Sequence, residues 1–335
     1  MRPAVYITFD VECSMGGAWG DPALKPVTPS RGMMGQYGND AYGLPLIVEI
    51  LASQGLKATF FLEPFNDELG HVGQTEEISR FLLDHGQDVQ LHVHPVHQQY
   101  GLKESGQPHA LIDDIAALDP QAQIDLLGEG ADRIERWTGK RPVAFRAGNM
   151  GASEETLRSL AAVGIHIDSS YTFPYLGGQC RFADTQRYNG SKWYDDVLEM
   201  ALSGFLQPNL PGLHPAKPVD LMGISFGECR QATKQISQAN ADTVLILHSF
   251  SLFKVRNRQY DAGRPNRIVT RRFRQFCRWL GEDRDSPLAR TFSELEQAVE
   301  KGQYEPLAVP PCRLNRPLRA VARKAVQALN RFYRV

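Results

Sequence analysis

The sequence predicts an α/β protein built on a parallel sheet, and three observations carry that expectation. Short apolar runs rich in β-branched and aromatic residues alternate with stretches of helical length and pattern. Polar residues able to do chemistry fall repeatedly at the C-terminal ends of those runs: Asp10, Glu12, His92, Arg146, Asp168 and His248. In a parallel sheet, open or closed into a barrel, those ends share one face. The third observation is size: 335 residues exceed an average domain but suit one large α/β barrel.

Composition narrows the function. With 42% hydrophobic and 22% charged residues the chain has the balance of an ordinary globular core. A formal net charge of -1 supplies no field for nucleic acid, so none is expected as a partner. The five cysteines (Cys13, Cys180, Cys229, Cys277, Cys312) are scattered, with no C-x-x-C pair, which argues against a disulfide framework and a cysteine zinc cluster. The first apolar run is too short for a signal-peptide core, and no window reaches the length of a spanning helix. A reduced, cytoplasmic enzyme is the expectation.

In order, Val5–Phe9 reads as a buried first strand ending in Asp10-Val11-Glu12, two carboxylates that face one way on extended chain. Residues 13–43, rich in Gly, Pro and Met, read as a long substrate-side loop. A helix from Pro45 to Gln54 closed by Gly55 precedes strand Ala58–Leu62. Glu76–His85 is a helix ended by Gly86, and it feeds the apolar run Val89–Val93. A loop from Gln98 to Pro108 and a helix over Pro120–Thr138 follow. Strand Pro142–Phe145 ends in Arg146. Ser153-Glu154-Glu155 opens the next helix and Gly164 closes it. Ile165–Ile167 ends in Asp168, Asp196–Leu202 reads as a further strand, and residues 223–239 as a helix. Thr243–Leu247 ends in His248, and helices near 270–281 and 291–301 complete a unit spanning residues 1–305.

Three of the nine histidines, His92, His94 and His97, fall within six residues at a strand end. His92 and His94 share a face on extended chain, whereas His97 lies past Pro95, which ends the strand. Neutral imidazoles converging at a strand end are what a divalent transition metal requires. A metal, a spare carboxylate, an arginine and a separate histidine make a metal-assisted hydrolase. Two other readings use the same residues: an amidohydrolase acting on a non-sugar amide, and a catalytically inactive glycan-binding barrel.

Thr8-Phe9-Asp10-Val11-Glu12, Leu91-His92 through His97, Phe145-Arg146-Ala147-Gly148, Asp168-Ser169-Ser170 and Leu245-Ile246-Leu247-His248 come in the order of the motifs of the polysaccharide deacetylases. From about residue 5 to residue 300 the chain resembles that family, carbohydrate esterase family 4 with its NodB homology, and its surface-glycan-biosynthesis subset above all. The resemblance implies a distorted (β/α)7 barrel that removes an N-acetyl or N-formyl group from a polymeric, nucleotide-linked or lipid-linked amino sugar. It also implies one divalent ion, zinc first, with cobalt or nickel as substitutes. Asp10 is then the general base and Arg146 its partner. His248 is the general acid, and Asp168 orients it. Glu12, His92 and His97 hold the metal, with His94 the alternative to His97.

Residues 306–335 form a tail. From Arg313 onward it carries seven Lys or Arg and no acid, while Leu318, Val321, Ala325, Leu329 and Phe332 recur at helical spacing. Such a helix either packs its stripe on the barrel or lies on the inner face of an anionic membrane.

Overall fold

The computed structural model of the chain describes residues 2–209, 214–315 and 317–332, the last without the side chains of 317, 319 and 327–332. Its main sheet comprises β1 (Ala4–Val11), β2 (Thr59–Leu62), β3 (Asp88–Val93), β4 (Ala144–Ala147), β5 (Ile167–Asp168), β6 (Asn189–Tyr194), β7 (Val197–Met200), β8 (Thr243–His248), β9 (Leu288–Arg290) and β10 (Ala308–Val309). The spatial order is β8-β1-β2-β3-β4-β5-β7-β6-β10, with β9 lying against the first residues of β1. Pairing is parallel from β8 through β7 and antiparallel at β6 and β10. The sheet curls into a distorted barrel, and Leu202, just past β7, bridges to Val244 on β8.

Both faces of this sheet are buried, which is why its strands read as continuous apolar runs. Val5, Ile7 and Phe9 of β1, with Phe60, Leu91, Phe145, Leu245 and Leu247, pack outward beneath the helices. Tyr6, Phe61, Ala144, Ile167, Val244 and Ile246 fill the inside. Strand alternation then sets the fate of each polar residue that follows. Asp10 continues the inward row of Tyr6, His248 that of Val244 and Ile246, and Arg146 that of Ala144.

Beyond a single turn at Pro29–Gly32, inside the expected 13–43 loop, the helices are α1 (Leu44–Ala52), α2 (Gln74–Asp84), α3 (Pro95–Glu104), α4 (Pro120–Thr138), α5 (Glu154–Ala162), α6 (Phe226–Gln238), α7 (Arg267–Glu282), α8 (Phe292–Glu300) and α9 (Pro317–Phe332). Their ends follow the capping chemistry of the sequence. Asp119 accepts from the Ala122 N–H and opens α4, Gly139 closes it at a φ of 73°, and a Ser225–Glu228 capping box starts α6.

Two elements differ from expectation. Pro95 does not turn the chain into a loop; it occupies the first position of α3, where its missing N–H costs nothing. The stretch before Val197 pairs as β6, with Asp195 at a φ of 49° in the hairpin turn. Asn189, Gly190 and Ser191 are buried there despite their polarity, so the apolar alternation that marks a strand is missing.

The tail is bound into the molecule. Cys312–Arg313 pairs in parallel with Phe205–Leu206, in a small sheet that also holds Ala216–Pro218. Leu314 and Ala320 are buried. So is Arg323, whose guanidinium donates to Glu228 on α6 and to Gln207. Leu318 and Val321 are 85% and 56% exposed, so this part of the apolar stripe points away from the barrel. The side chains of Leu329 and Phe332, with residues 316 and 334, lie outside the described residues. No described helix is long and apolar enough to cross a membrane.

Candidate active site

At the C-terminal ends of β1, β3, β4 and β8 the side chains converge. His92 and Arg146 are neighbours in the β3–β4 register, as are Asp10 and His248 in β1–β8. Arg146 is wholly buried and its bonds fix it completely. Nη1 donates to Asp10 Oδ1 at 2.7 Å and to Thr8 Oγ1 at 2.8 Å, while Nε and Nη2 donate to the carbonyl and hydroxyl of Ser169 at 3.0 and 3.1 Å. Its guanidinium also lies over the Phe61 ring, 4.2 Å from the centroid. A charge held this way keeps the buried Asp10 carboxylate in one orientation.

Beside this pair, ligating atoms of Glu12, His92 and His94 all lie within 4.8 Å of one another. His92 Nδ1 donates to the Arg146 carbonyl at 2.8 Å, leaving Nε2 as a bare lone pair 3.5 Å from Glu12 Oε2. That Nε2 is buried without a hydrogen-bond partner. His94 Nδ1 donates to Asp113 Oδ1 at 2.8 Å, and Nε2 faces Glu12 Oε2 at 2.5 Å. Lone pairs of two imidazoles and a carboxylate directed at each other form a donor set that a shared cation satisfies. Electrostatics agrees. Burial pushes the Glu12 carboxyl up, yet His94 and His92 outweigh it and leave it well below the usual range. Burial lowers His94, yet Glu12 and Asp113 raise it well above the ordinary imidazole value. A divalent metal in place of that proton suits this donor set.

Of the two later histidines, the structure groups His94 and not His97 with Glu12 and His92. His94, at the β3–α3 junction, joins Glu12 and His92. His97, one turn into α3, is set back with its Nδ1 3.7 Å from Glu63 Oε2. Burial and the neighbouring His94 hold its pKa down to about 3. The proline helix start explains the difference, because α3 carries His97 past the mouth instead of turning it back.

Asp168 is also corrected. It pairs with Phe145 and Glu199 in the register and so points to the outer layer, opposite Arg146 and away from His248. There it accepts from the Ser170 N–H at 3.0 Å and hydroxyl at 2.8 Å. A further buried carboxyl that interacts with His248 is Asp220. Its carboxyl is pushed up by burial, against the Met222 N–H at 2.8 Å and the charge of His248. His248 itself, with a side chain 30% exposed, opens to the mouth and stands 3.9 Å from Asp10 Oδ2 and 4.0 Å from Glu12 Oε1.

With this arrangement established, the likeness to known proteins can be placed. A solved Mycobacterium smegmatis structure assigned as a polysaccharide deacetylase superposes with a TM-score of 0.57 at 18% identity, covering 94% of each chain. The fold is that of the polysaccharide deacetylases. A family 4 carbohydrate esterase of Streptomyces lividans fits more loosely, at a TM-score of 0.40 and 13% identity over 84% of this chain and 90% of that one. In sequence, the peptidoglycan deacetylase-like protein FGM2 of Gibberella zeae is 30% identical over 131 residues. That match takes in 38% of this chain and spans about a third, 32%, of the curated relative. No family model matches. The deacetylase fold read from the strand-end motifs is thus present, and Asp10, Glu12, His92, His94, Arg146 and His248 line its mouth.

Three residues at this mouth escaped the sequence reading. Glu63 directly follows β2, the position that drew attention to Asp10 and His92. It is fully buried, accepts from the Phe65 N–H at 2.9 Å and from the His94 N–H, and its carboxyl is pushed up to about 7 by burial. Asp113 and Asp220 sit in irregular segments with no period to expose them.

Proposed function

We propose that the chain is a metal-dependent deacetylase that hydrolyses the N-acyl group, acetyl or formyl, of an amino sugar. One observation carries this reading: the Glu12–His92–His94 donor set stands beside a buried Asp10–Arg146 pair, with a half-open histidine 3.9 Å from Asp10. Glu12, His92 and His94 would hold the ion, zinc first, with cobalt or nickel as substitutes. When bound, the metal polarises the acyl carbonyl and makes a water more acidic. Asp10, fixed by Arg146, takes a proton from the attacking water as its oxygen bonds to the acyl carbon. His248 delivers a proton to the nitrogen as the carbon–nitrogen bond breaks, leaving a free amine and a carboxylate.

The substrate is carried toward a membrane in this reading. The outward face of α9 bears Leu318 and Val321 on a segment with seven basic residues and no acid, which suits an anionic lipid surface and a lipid-linked glycan. Activity is tested by incubating the zinc-loaded protein with N-acetylated oligosaccharides, nucleotide-linked and lipid-linked amino sugars and measuring released acetate or formate. Release that disappears in Asp10→Asn supports the assignment. No release from any of them, with zinc bound, overturns it in favour of a sugar-binding barrel.

A further inference from the structure

His94 is held by residues that belong neither to the core nor to the donor set. Its Nδ1 donates to Asp113 Oδ1 at 2.8 Å, and the other oxygen of Asp113 accepts from Asn149 Nδ2 at 2.6 Å. Asn149 and the next residue, Met150, have φ values of 54° and 59°. Two successive non-glycine residues in the left-handed region form a strained turn that persists only where its surroundings impose it. Just before it, Gly148 passes so close beneath the His94 ring that a Cβ there would lie 2.5 Å from Cγ and Nδ1. The Asp113 loop is anchored as well. Asp114 accepts from Arg181 at 2.6 Å, and the Ala116 N–H donates to the Gly151 carbonyl at 3.0 Å.

Met150 packs into the inner core, whereas Asn149 is exposed and gains nothing from that packing. The turn brings the Asn149 amide to Asp113 and the backbone of Gly148 to the imidazole, and both act on His94. We propose that the 148–150 turn and Asp113 form a positioning device that fixes the tautomer and angle of the His94 ring and thereby sets the affinity of the Glu12–His92–His94 site for its metal. This rests on the metal reading of those three residues. A carboxylate at Nδ1 keeps the proton on that nitrogen, so the lone pair stays at Nε2, toward Glu12, and becomes more basic. With a side chain 37% exposed, Asp113 has water as an alternative partner, and Asn149 holds it to the ring. Asp113 and Asn149 are positioning residues; neither faces the donor atoms.

The test is a zinc titration of the full chain against a chromophoric chelator, paired with thermal melting of the metal-free protein. Wild type should bind one equivalent and Glu12→Gln should lose it. Asp113→Ala and Asn149→Gly should bind zinc about ten- to a hundredfold more weakly. Their metal-free melting should be unchanged, or raised in Asn149→Gly, because glycine accepts a positive φ without strain. A merely structural turn gives the opposite pattern. Zinc affinity of Asn149→Gly and Asp113→Ala within about twofold of wild type would overturn the proposal while leaving the metal site standing. Equal uptake by wild type and Glu12→Gln would instead remove the metal reading itself.

Discussion

Asp10 and His248 stand side by side across the parallel pair β1–β8, Oδ2 and Nε2 3.9 Å apart, with Arg146 closing the far side of the carboxylate. The proposed proton acceptor and proton donor are thus fixed by adjacent strands of one sheet, not by loops. Asp10→Asn and His248→Ala should each lower turnover by about a hundred- to ten-thousandfold, with zinc content and circular dichroism unchanged. Near-normal turnover in Asp10→Asn would mean that another group takes the water's proton.

His94→Ala and His97→Gln separate the two later histidines. The first should lose the metal; the second should keep it, because His97 lies against Glu63 and outside the donor set. Elemental analysis of the purified variants decides. Metal lost only from His97→Gln would reverse the assignment.

Much of the fold and of the mouth is legible in the sequence, and what is not has three separate physical causes. Strand ends were legible because a doubly buried parallel sheet writes its strands as apolar runs, and the first polar residues after Phe9, Leu91, Phe145 and Leu247 reach the mouth. What the run does not show is parity. Ile167 is the inward residue of β5, so Asp168 points outward, and one residue of register separates a site residue from a structural one. His97 stands apart from the donor set for a different reason: a proline after a strand both stops that strand and starts a helix well. Asp113 and Asp220 depend on loop geometry that no periodicity encodes.

The displaced Asp168 and its neighbour Glu199 give a stability signature. Burial, then the adjacent Asp168 charge, raise the Glu199 carboxyl well above its ordinary value. A carboxyl raised in the folded state binds its proton more tightly there than in the unfolded chain. Its stabilisation is therefore complete below the unfolded value, roughly 4.3, and is lost as pH rises through the folded value. Melting temperature should fall with rising pH in wild type and fall less in Glu199→Gln. Parallel profiles would place the pH dependence elsewhere.

Arg323 predicts how firmly the tail is held. It is buried against Glu228 and Gln207, so Arg323→Ala removes the cation bonded directly to Glu228 and should cost about 3–5 kcal/mol in denaturant unfolding. Replacing both partners with apolar residues should recover part of that loss. No change in either variant would show that the α9–α6 contact does not persist in solution.

The outward face of α9 is checked by sedimentation with vesicles. The full chain should pellet with phosphatidylglycerol vesicles at low salt, and less so with phosphatidylcholine or at high salt. Leu318→Ser with Val321→Ser should abolish pelleting without lowering the melting temperature, since both side chains are exposed. A shift from dimer to monomer in that variant, with no vesicle binding by wild type, would assign the face to a second copy.

Among the described residues the curled sheet is joined to itself through one β-bridge, Leu202–Val244. Beyond it, the Ser203 N–H donates to the Val244 carbonyl at 3.1 Å and the Val244 N–H to Ser203 Oγ at 3.0 Å. Elsewhere each strand of the curl is held to its neighbours by a ladder, so cooperativity is unequal around the circumference. In amide exchange this seam should be the barrel's weakest stave, opening with a free energy well below global unfolding while β1 and β8 stay protected.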